Sequence, residues 1–133
     1  KSFMEEDETW AVVLRSNSQL LGSFGLHRDA MRGSEIKARA LGYVLAEEAW
    51  GHGYATEAAQ RVLSFAFEEF GLELVSVCHF PFNARSRRVI EKCGFRYEGT
   101  IRHAYRRYDN TVLDSCCYSI MREEYLALKE NAQ

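Results

Sequence analysis

The chain has 133 residues, of which 47% are hydrophobic and 27% are charged, and its formal net charge is -2. These values predict one globular domain over residues 1–133, and they argue against a dedicated nucleic-acid binder, which would usually be basic. No run of about 18 apolar residues occurs, so the sequence predicts no membrane span and no membrane partner. The first residues are polar and acidic, unlike a signal peptide, and we expect a cytoplasmic protein.

The four cysteines predict neither a disulfide nor a zinc site. No Cys-x-x-Cys pair occurs, and two of the cysteines are adjacent. We therefore expect reduced, partly buried thiols and no bound metal. The positions are Cys78, Cys93, Cys116 and Cys117.

Three strands are predicted in the first third of the chain. Residues 10–15 and 20–27 are rich in strand-forming side chains and flank the polar link 16–19, which is typical of a hairpin. The polar residues 28–37 predict an exposed loop. Alternation over residues 38–46 predicts the third strand.

A change of period then marks the first helix. Between residues 53 and 70, apolar side chains recur at spacings of three and four, which predicts a helix with one apolar face that ends at Gly71. The apolar run 72–80 predicts a buried strand that ends at Pro81. The apolar face comprises Ala55, Ala58, Ala59, Val62, Leu63, Ala66, Phe67 and Phe70.

The remaining elements complete a mixed sheet. Residues 83–93 predict a second helix with Asn83 as its N-cap, and residues 122–130 predict a short terminal helix. Residues 95–103 and 112–121 predict two strands around a turn at 109–110. The resulting order predicts an α+β fold with a mixed, mainly antiparallel sheet flanked by helices.

A glycine-containing turn joins the third strand to the first helix. Glycine has no Cβ to block a ligand, and the free N–H groups of a helix N-terminus favour phosphate, so the turn predicts a pyrophosphate site. A dinucleotide fingerprint would need a third glycine where Thr56 stands, and the Gly-Lys-Ser/Thr of a P-loop is absent. The segment is Trp50-Gly51-His52-Gly53-Tyr54-Ala55-Thr56-Glu57.

A second motif lies 30 residues downstream: Asn83-x-x-Ser86-x-x-Val89-Ile90-Glu91-Lys92-Cys93-Gly94-Phe95-x-x-Glu98-Gly99. Together the two motifs resemble the GNAT superfamily of N-acetyltransferases, and especially its ribosomal-protein N-terminal acetyltransferase branch. The resemblance covers roughly residues 38–125. One departure is Glu48, which stands where the family's pyrophosphate loop usually has Arg or Gln. Backbone N–H groups would therefore carry most of the phosphate contact.

The resemblance implies acetyl-CoA as cofactor, no metal, and an amine acceptor that attacks the thioester directly in a ternary complex. The acceptor would be a peptide N-terminus or a small molecule. In the family, the pantetheine arm pairs with the strand before the loop, which would let a backbone N–H near Leu45 face the thioester carbonyl. The implied cofactor-binding residues are Tyr43, Val44, Leu45, Trp50, Gly51, His52, Gly53, Tyr54, Ala55, Thr56, Asn83 and Ser86.

The catalytic acid departs from the common pattern of the family. Many members have a tyrosine that protonates the leaving thiolate, and Ile90 occupies that position here. The ribosomal-protein branch suggests Ser86 as the substitute. The structural alternative is a first-turn serine bonded to nearby backbone.

The sequence leaves the general base open. An amine with a pKa of about 10 is mostly protonated at neutral pH, so a general base is expected. The alternatives are that water relays the proton or that the acceptor arrives neutral. We expect His79 near the thioester, although a histidine satisfied within the sheet is an equal alternative. His103 and Tyr105 are expected at the substrate mouth, and Glu47 and Glu48 are further candidates.

Two features keep other functions open. Family members usually begin with a strand and one or two helices that help form the acceptor pocket, and this chain leaves little room for them. We expect those elements to be missing, disordered or supplied by a partner, with a homodimer as one arrangement. The absent tyrosine supports an alternative, a non-catalytic CoA-binding or regulatory module. An unrelated αβ nucleotide-binding domain is the third hypothesis.

Overall fold

The computed structural model describes residues 7–132, so the first six residues of the predicted domain lie outside the described part. The elements follow the predicted order, and the α+β prediction is confirmed. The strands are β1 Glu8–Val13, β2 Leu20–Arg28, β3 Ala38–Leu45, β4 Leu74–His79, β5 Arg96–Arg106 and β6 Val112–Met121. The helices are α1 Tyr54–Ser64, α2 Ala84–Lys92 and α3 Arg122–Asn131.

The predicted helix 53–70 forms as two connected pieces. After α1, the chain makes one wider turn over Phe65–Glu69, in which the N–H of Phe70 donates to the carbonyl of Phe65 at 2.9 Å. Gly71 follows with a φ of +69°, a left-handed conformation that glycine adopts easily and that ends the helical stretch.

The six strands form one sheet in the order β1-β2-β3-β4-β6-β5. Neighbours are antiparallel except β3 and β4, which are parallel. Their pairing runs from Ala38 opposite Leu74 to Leu41 opposite Val77 and stops there, although β3 continues to Leu45. The two strands therefore part in the middle of the sheet, and this gap positions the candidate site.

The hydrophobic core lies between one face of the sheet and the first two helices. The apolar face predicted for the first helix supplies much of it, and burial of each large apolar side chain contributes about 1.5–3 kcal/mol. Its fully buried large members are Phe24, Leu26, Leu63, Phe67, Leu72, Val75, Val77, Ile90 and Ile120.

The opposite face of the sheet carries a polar network. Ser76 and Ser119 alternate with core residues and so face away from the core, and both are buried. Ser76 donates to Asp29 at 2.8 Å, and Arg32 bridges Asp29 and Glu98 at 2.8 and 2.7 Å. Burial opposes ionisation of Asp29, but these hydrogen bonds outweigh it and lower its pKa. The predicted exposed loop 28–37 therefore contains one buried carboxylate.

The fifth strand extends beyond its predicted end at residue 103. It continues to Arg106, and its pairing with β6 is irregular between Tyr97 and Gly99 and between Ile101 and Tyr105. Within residues 7–132, no cluster of three or more metal-ligating side chains is found, and no helix has the length and apolarity to cross a membrane.

Candidate active site

An open groove of about 700 Å³ begins where β3 and β4 separate. The gap brings the end of β3, the glycine turn and the face of α2 around one space. The groove is lined by Tyr43, Val44, Leu45, Ala49, Trp50, Gly51, Gly53, Tyr54, Ala55, Thr56, Phe82, Asn83, Ala84, Arg85, Ser86, Arg88, Val89 and Lys92.

The first turn of α1 presents unused backbone donors to this groove. Gly51 and Gly53 have φ values of +82° and +80°, and a Cβ placed on either would meet no atom within 4 Å. Gly53 is the N-cap and has no side-chain cap; its carbonyl accepts from the N–H of Glu57 at 3.1 Å. The N–H groups of residues 54–56 precede that first bond, so they point out of the helix without intrahelical acceptors. This arrangement suits an anion.

Cations line the groove on the side of α2. Arg85, Arg88 and Lys92 are spaced three and four residues apart, which places them on one helical face. Among residues 7–132, no Asp or Glu lines the groove, although the whole chain carries a net charge of -2. The Arg85 guanidinium lies 3.9 Å from the centre of the Trp50 ring, a cation–π contact that joins the turn to the helix.

The far end of α2 contacts the first turn of α1. The thiol of Cys93 lies 4.0 Å from the carbonyl oxygen of Thr56, so Lys92 is close in sequence to a contact with the first turn of α1. Within the described part of the chain, Arg88 and Lys92 take part in no ion pair, whereas Arg87 pairs with Glu91 at 3.5 Å. Among residues 7–132, two cations without an ion-pair partner therefore line the same groove as the open amides.

The end of β3 exposes a backbone donor to the gap. The N–H of Ala46 donates to Leu21 of β2 at 2.7 Å, and successive residues of an extended strand point their N–H groups to opposite sides. The N–H of Leu45 therefore faces away from β2, towards the gap. The carbonyl of Leu45 is already occupied, because it accepts from the Trp50 indole at 3.0 Å.

A second cavity of about 410 Å³ meets the groove. The two spaces share Tyr43, Asn83 and Ser86, so these side chains form their junction. Its other lining residues are Leu41, Gly42, Val77, Cys78, His79, Phe80, Ala104, Tyr105 and Ser115.

A pair of hydroxyl groups occupies the junction. The hydroxyl of Tyr43 lies 2.7 Å from the hydroxyl of Ser86, while the Ser86 N–H donates to the Asn83 side chain at 3.0 Å. The Ser86 hydroxyl therefore has a long-range partner rather than the local backbone partner of the structural alternative. Burial raises the pKa of Tyr43, more than the Ser86 hydrogen bond lowers it. Tyr43 thus stays protonated at neutral pH.

His79 is buried between two partners. Its Nδ1 lies 2.8 Å from the carbonyl of Phe80, and its Nε2 lies 3.3 Å from the hydroxyl of Tyr118. Because a carbonyl oxygen only accepts, the neutral ring carries its proton on Nδ1, and Nε2 accepts from Tyr118. His79 is held in the sheet as the structural alternative expects, and it also lines the second cavity.

The other predicted residues divide between the two spaces and the exterior. Tyr105 lines the second cavity, where its ring centre lies 5.6 Å from that of Phe80. His103 lines neither space; it has a φ of +53° and its N–H donates to Asp114 at 2.9 Å. His52 stacks on Tyr54 and does not line the groove.

The remaining predicted cofactor-binding residues line the groove. Glu47 and Glu48 line neither space, and Ile90 is buried in the core with only 1% exposure. In the sequence, Arg85 and Arg88 belong to a basic cluster with Arg87 that allows a local anionic ligand, whereas that cluster indicated no role for Lys92. The spacing of Arg85, Arg88 and Lys92 by three and four residues on a predicted helix could have indicated a cationic face beside the predicted pyrophosphate site.

Comparison with known proteins identifies the family. The profile of the acetyltransferase (GNAT) domain matches residues 1–96. The chain belongs to the GNAT acetyltransferase family. Among curated relatives, the "Uncharacterized N-acetyltransferase YoaA" of Bacillus subtilis is 31% identical over 113 residues, which cover 85% of this chain and 62% of YoaA. The "Putative ribosomal N-acetyltransferase YdaF" of the same organism is 34% identical over 112 residues, covering 82% of this chain and 57% of YdaF.

Solved structures agree with this GNAT assignment. The crystal structure of a GNAT-family acetyltransferase from Bacillus anthracis has a TM-score of 0.77 and 31% identity, covering 87% of this chain and 67% of that one. A spermidine N-acetyltransferase SpeG from Vibrio cholerae has a TM-score of 0.80 at 19% identity, over 94% of this chain and 71% of that one, and shares the fold. The chain spans less than two thirds of the length of the curated relatives YoaA and YdaF.

Proposed function

We propose that this chain transfers an acetyl group from acetyl-CoA to a primary amine, on a peptide N-terminus or a small molecule. The observation that carries the proposal is the meeting of two spaces at the hydroxyl pair of Tyr43 and Ser86. One space has anion-binding features, and among residues 7–132 no Arg or Lys lines the other. Such a junction suits a reaction between a phosphate-bearing donor and a separate acceptor. Membership of the GNAT family supports acetyl transfer.

The groove residues fit the phosphates of acetyl-CoA. The open amides of residues 54–56 would hold the diphosphate, and the cations of α2 would add charge on the opposite wall. The pantetheine arm would lie along residues 43–45 of β3 as an added strand, with Asn83 near it. When bound, acetyl-CoA supplies an activated thioester.

The reacting carbonyl would lie at the junction. The Leu45 N–H faces the gap, where it would donate to the oxyanion that forms as the amine attacks. The Ser86 hydroxyl would donate to the sulfur as the C–S bond breaks, in place of the tyrosine that Ile90 replaces. Holding both reactants in one ternary complex supplies much of the rate.

The second cavity would receive the acceptor amine. Tyr105 lines this cavity, and His103 lies on the same strand. His79 is our candidate base because imidazole is a common proton acceptor near neutral pH and its Nε2 carries the free electron pair. To act, Nε2 must exchange its hydrogen bond with Tyr118 for one to the amine.

A single domain over residues 1–133, a homodimer and a cytoplasmic location stay predictions.

One observation favours a second function, a non-catalytic CoA-binding or regulatory module. Ile90 is fully buried, so no acid stands at the position that many family members use. Titration calorimetry with acetyl-CoA, followed by a thiol-release assay over a panel of amines and peptides, separates the two functions. We expect binding and acceptor-dependent release. Binding with no release across the panel would favour the module, and no binding would reject both.

A further inference from the structure

The hydroxyl pair at the junction contains a tyrosine to which the proposed chemistry gives no catalytic role. Tyr43 lies on β3 and Ser86 on α2, so 43 residues of sequence separate two oxygens that are 2.7 Å apart. The Tyr43 ring stacks on Phe24 with its centre 4.7 Å away and its plane tilted by 6°. Packing therefore fixes the ring, and the ring fixes where its hydroxyl points.

The direction of the hydrogen bond follows from the acidity of the two hydroxyls. A phenol, with a pKa near about 10, is a stronger donor and a weaker acceptor than an aliphatic alcohol. The geometry allows either oxygen to donate, and the acidity difference favours the Tyr43 O–H as the donor to the Ser86 oxygen. A serine hydroxyl has one proton and two acceptor positions, so this arrangement leaves its own O–H free.

The backbone around Ser86 limits where that free proton can go. Ser86 stands in the first turn of α2, and its N–H is taken by Asn83. Its hydroxyl borders both the groove and the second cavity. With Tyr43 filling one acceptor position of the oxygen, the proton can point into the junction.

We propose that Tyr43 is a positioning residue, whose O–H donates to Ser86 and thereby aims the Ser86 O–H at the sulfur of the thioester. This inference rests on the proposed function for the location of the sulfur. As the amine nitrogen bonds to the carbonyl carbon and the C–S bond breaks, the electron pair passes to sulfur, and the Ser86 hydrogen bond stabilises that charge. The amine releases its proton to the base or to water. Tyr43 keeps its own proton throughout.

A double-mutant cycle of Tyr43→Phe and Ser86→Ala tests the coupling. Hydroxylamine is a suitable acceptor, because it is small and mostly unprotonated at neutral pH and so requires neither deprotonation before attack nor a fitted acceptor site. Ser86→Ala should lower kcat about 100-fold and Tyr43→Phe about tenfold. The double variant should be no slower than Ser86→Ala, because Tyr43 acts only through Ser86. The Kd for CoA should stay within about twofold, since phenylalanine keeps the ring on Phe24.

Tyr97→Phe is the matched control. The Tyr97 hydroxyl lies 2.6 Å from that of Thr100, also a tyrosine–alcohol pair, but Tyr97 lines neither space. Loss of the Tyr97 hydroxyl should leave kcat unchanged. Equal losses in Tyr97→Phe and Tyr43→Phe would assign the effect to general destabilisation and contradict the proposal, as would losses that multiply in the double variant.

A second readout needs no acceptor. The ultraviolet absorbance of the thiolate reports the pKa of the CoA thiol in the complex. Ser86→Ala and Tyr43→Phe should each raise this bound pKa above the wild-type value, and the double variant should match Ser86→Ala. A thiol pKa indifferent to Tyr43 would overturn the inference even if the enzyme is active. A wild-type protein that binds CoA but never releases thiol would instead contradict the proposed function.

Discussion

The two helices that border the groove begin in opposite ways. At α1 the N-cap is Gly53, without a side chain, and the amides of the first turn are open. At α2 the N-cap is Asn83, whose side chain accepts from the Ser86 N–H at 3.0 Å. Open amides attract an anion, whereas a closed cap fixes a side chain in place. One helix start is suited to binding and the other to chemistry.

The largest expected effect comes from blocking the open amides at the N-terminus of α1. Gly53→Val puts a branched side chain into the phosphate approach and strains a residue with a φ of +80°. Lost contacts to a charged group should weaken CoA binding about 100-fold or more. Titration calorimetry measures the change.

Gly99→Val is the control for this substitution. Gly99 also has a positive φ, +151°, and a Cβ there meets nothing within 4 Å, but it lies on β5 and does not line the groove. Its CoA affinity should match that of the wild type. Equal losses of CoA affinity in both glycine variants, or no loss in Gly53→Val, would contradict a phosphate site at the glycine turn.

A smaller effect is expected from removing the side-chain cap at the N-terminus of α2. Asn83→Ala removes the cap, which should lower the free energy of unfolding by about 1 kcal/mol. The released first turn should also let Ser86 drift from Tyr43, so kcat should fall about tenfold while CoA binding changes less. Thermal unfolding and steady-state kinetics provide the two measurements. Asn83→Asp, which keeps the accepting oxygen, should retain the wild-type stability. A wild-type kcat in Asn83→Ala would show that the cap does not position Ser86.

The smallest effect concerns the cationic wall of α2. Arg88→Gln should weaken CoA binding about fivefold, as expected for one partly solvated charge contact, and the loss should shrink as salt screens it. Arg87→Gln is the control, because Arg87 pairs with Glu91 and does not line the groove. Affinity measured at low and high ionic strength distinguishes them. Equal behaviour of the two variants would show that only net charge matters.

Local patterns in the sequence predicted most of the fold. The three-and-four spacing over residues 53–70, the cap at Asn83 and the glycine that ends the first helix depend on neighbours within one or two turns. The extent of β5 was wrong because its irregular pairing with β6 depends on the partner strand. The buried carboxylate of Asp29 was missed for a similar reason, since its partners Ser76 and Arg32 include a residue from a distant strand.

The candidate site divides in the same way. The glycine turn and Asn83 are contiguous motifs, so the sequence could indicate them. The contact between Tyr43 and Ser86 joins a strand to a helix across the gap, and no local pattern encodes it. The contact between Trp50 and Arg85 is equally long-range. Motifs therefore predicted that these residues line one groove, while the arrangement of the hydroxyls needed the three-dimensional structure.

A crystal structure of this chain with coenzyme A tests the central comparison most directly. The account predicts diphosphate oxygens about 3 Å from the N–H groups at the start of α1, with the Asn83 cap of α2 still closed and the thiol beside Ser86. A diphosphate bound elsewhere, with the amides of residues 54–56 facing solvent or covered by a side chain, would contradict it.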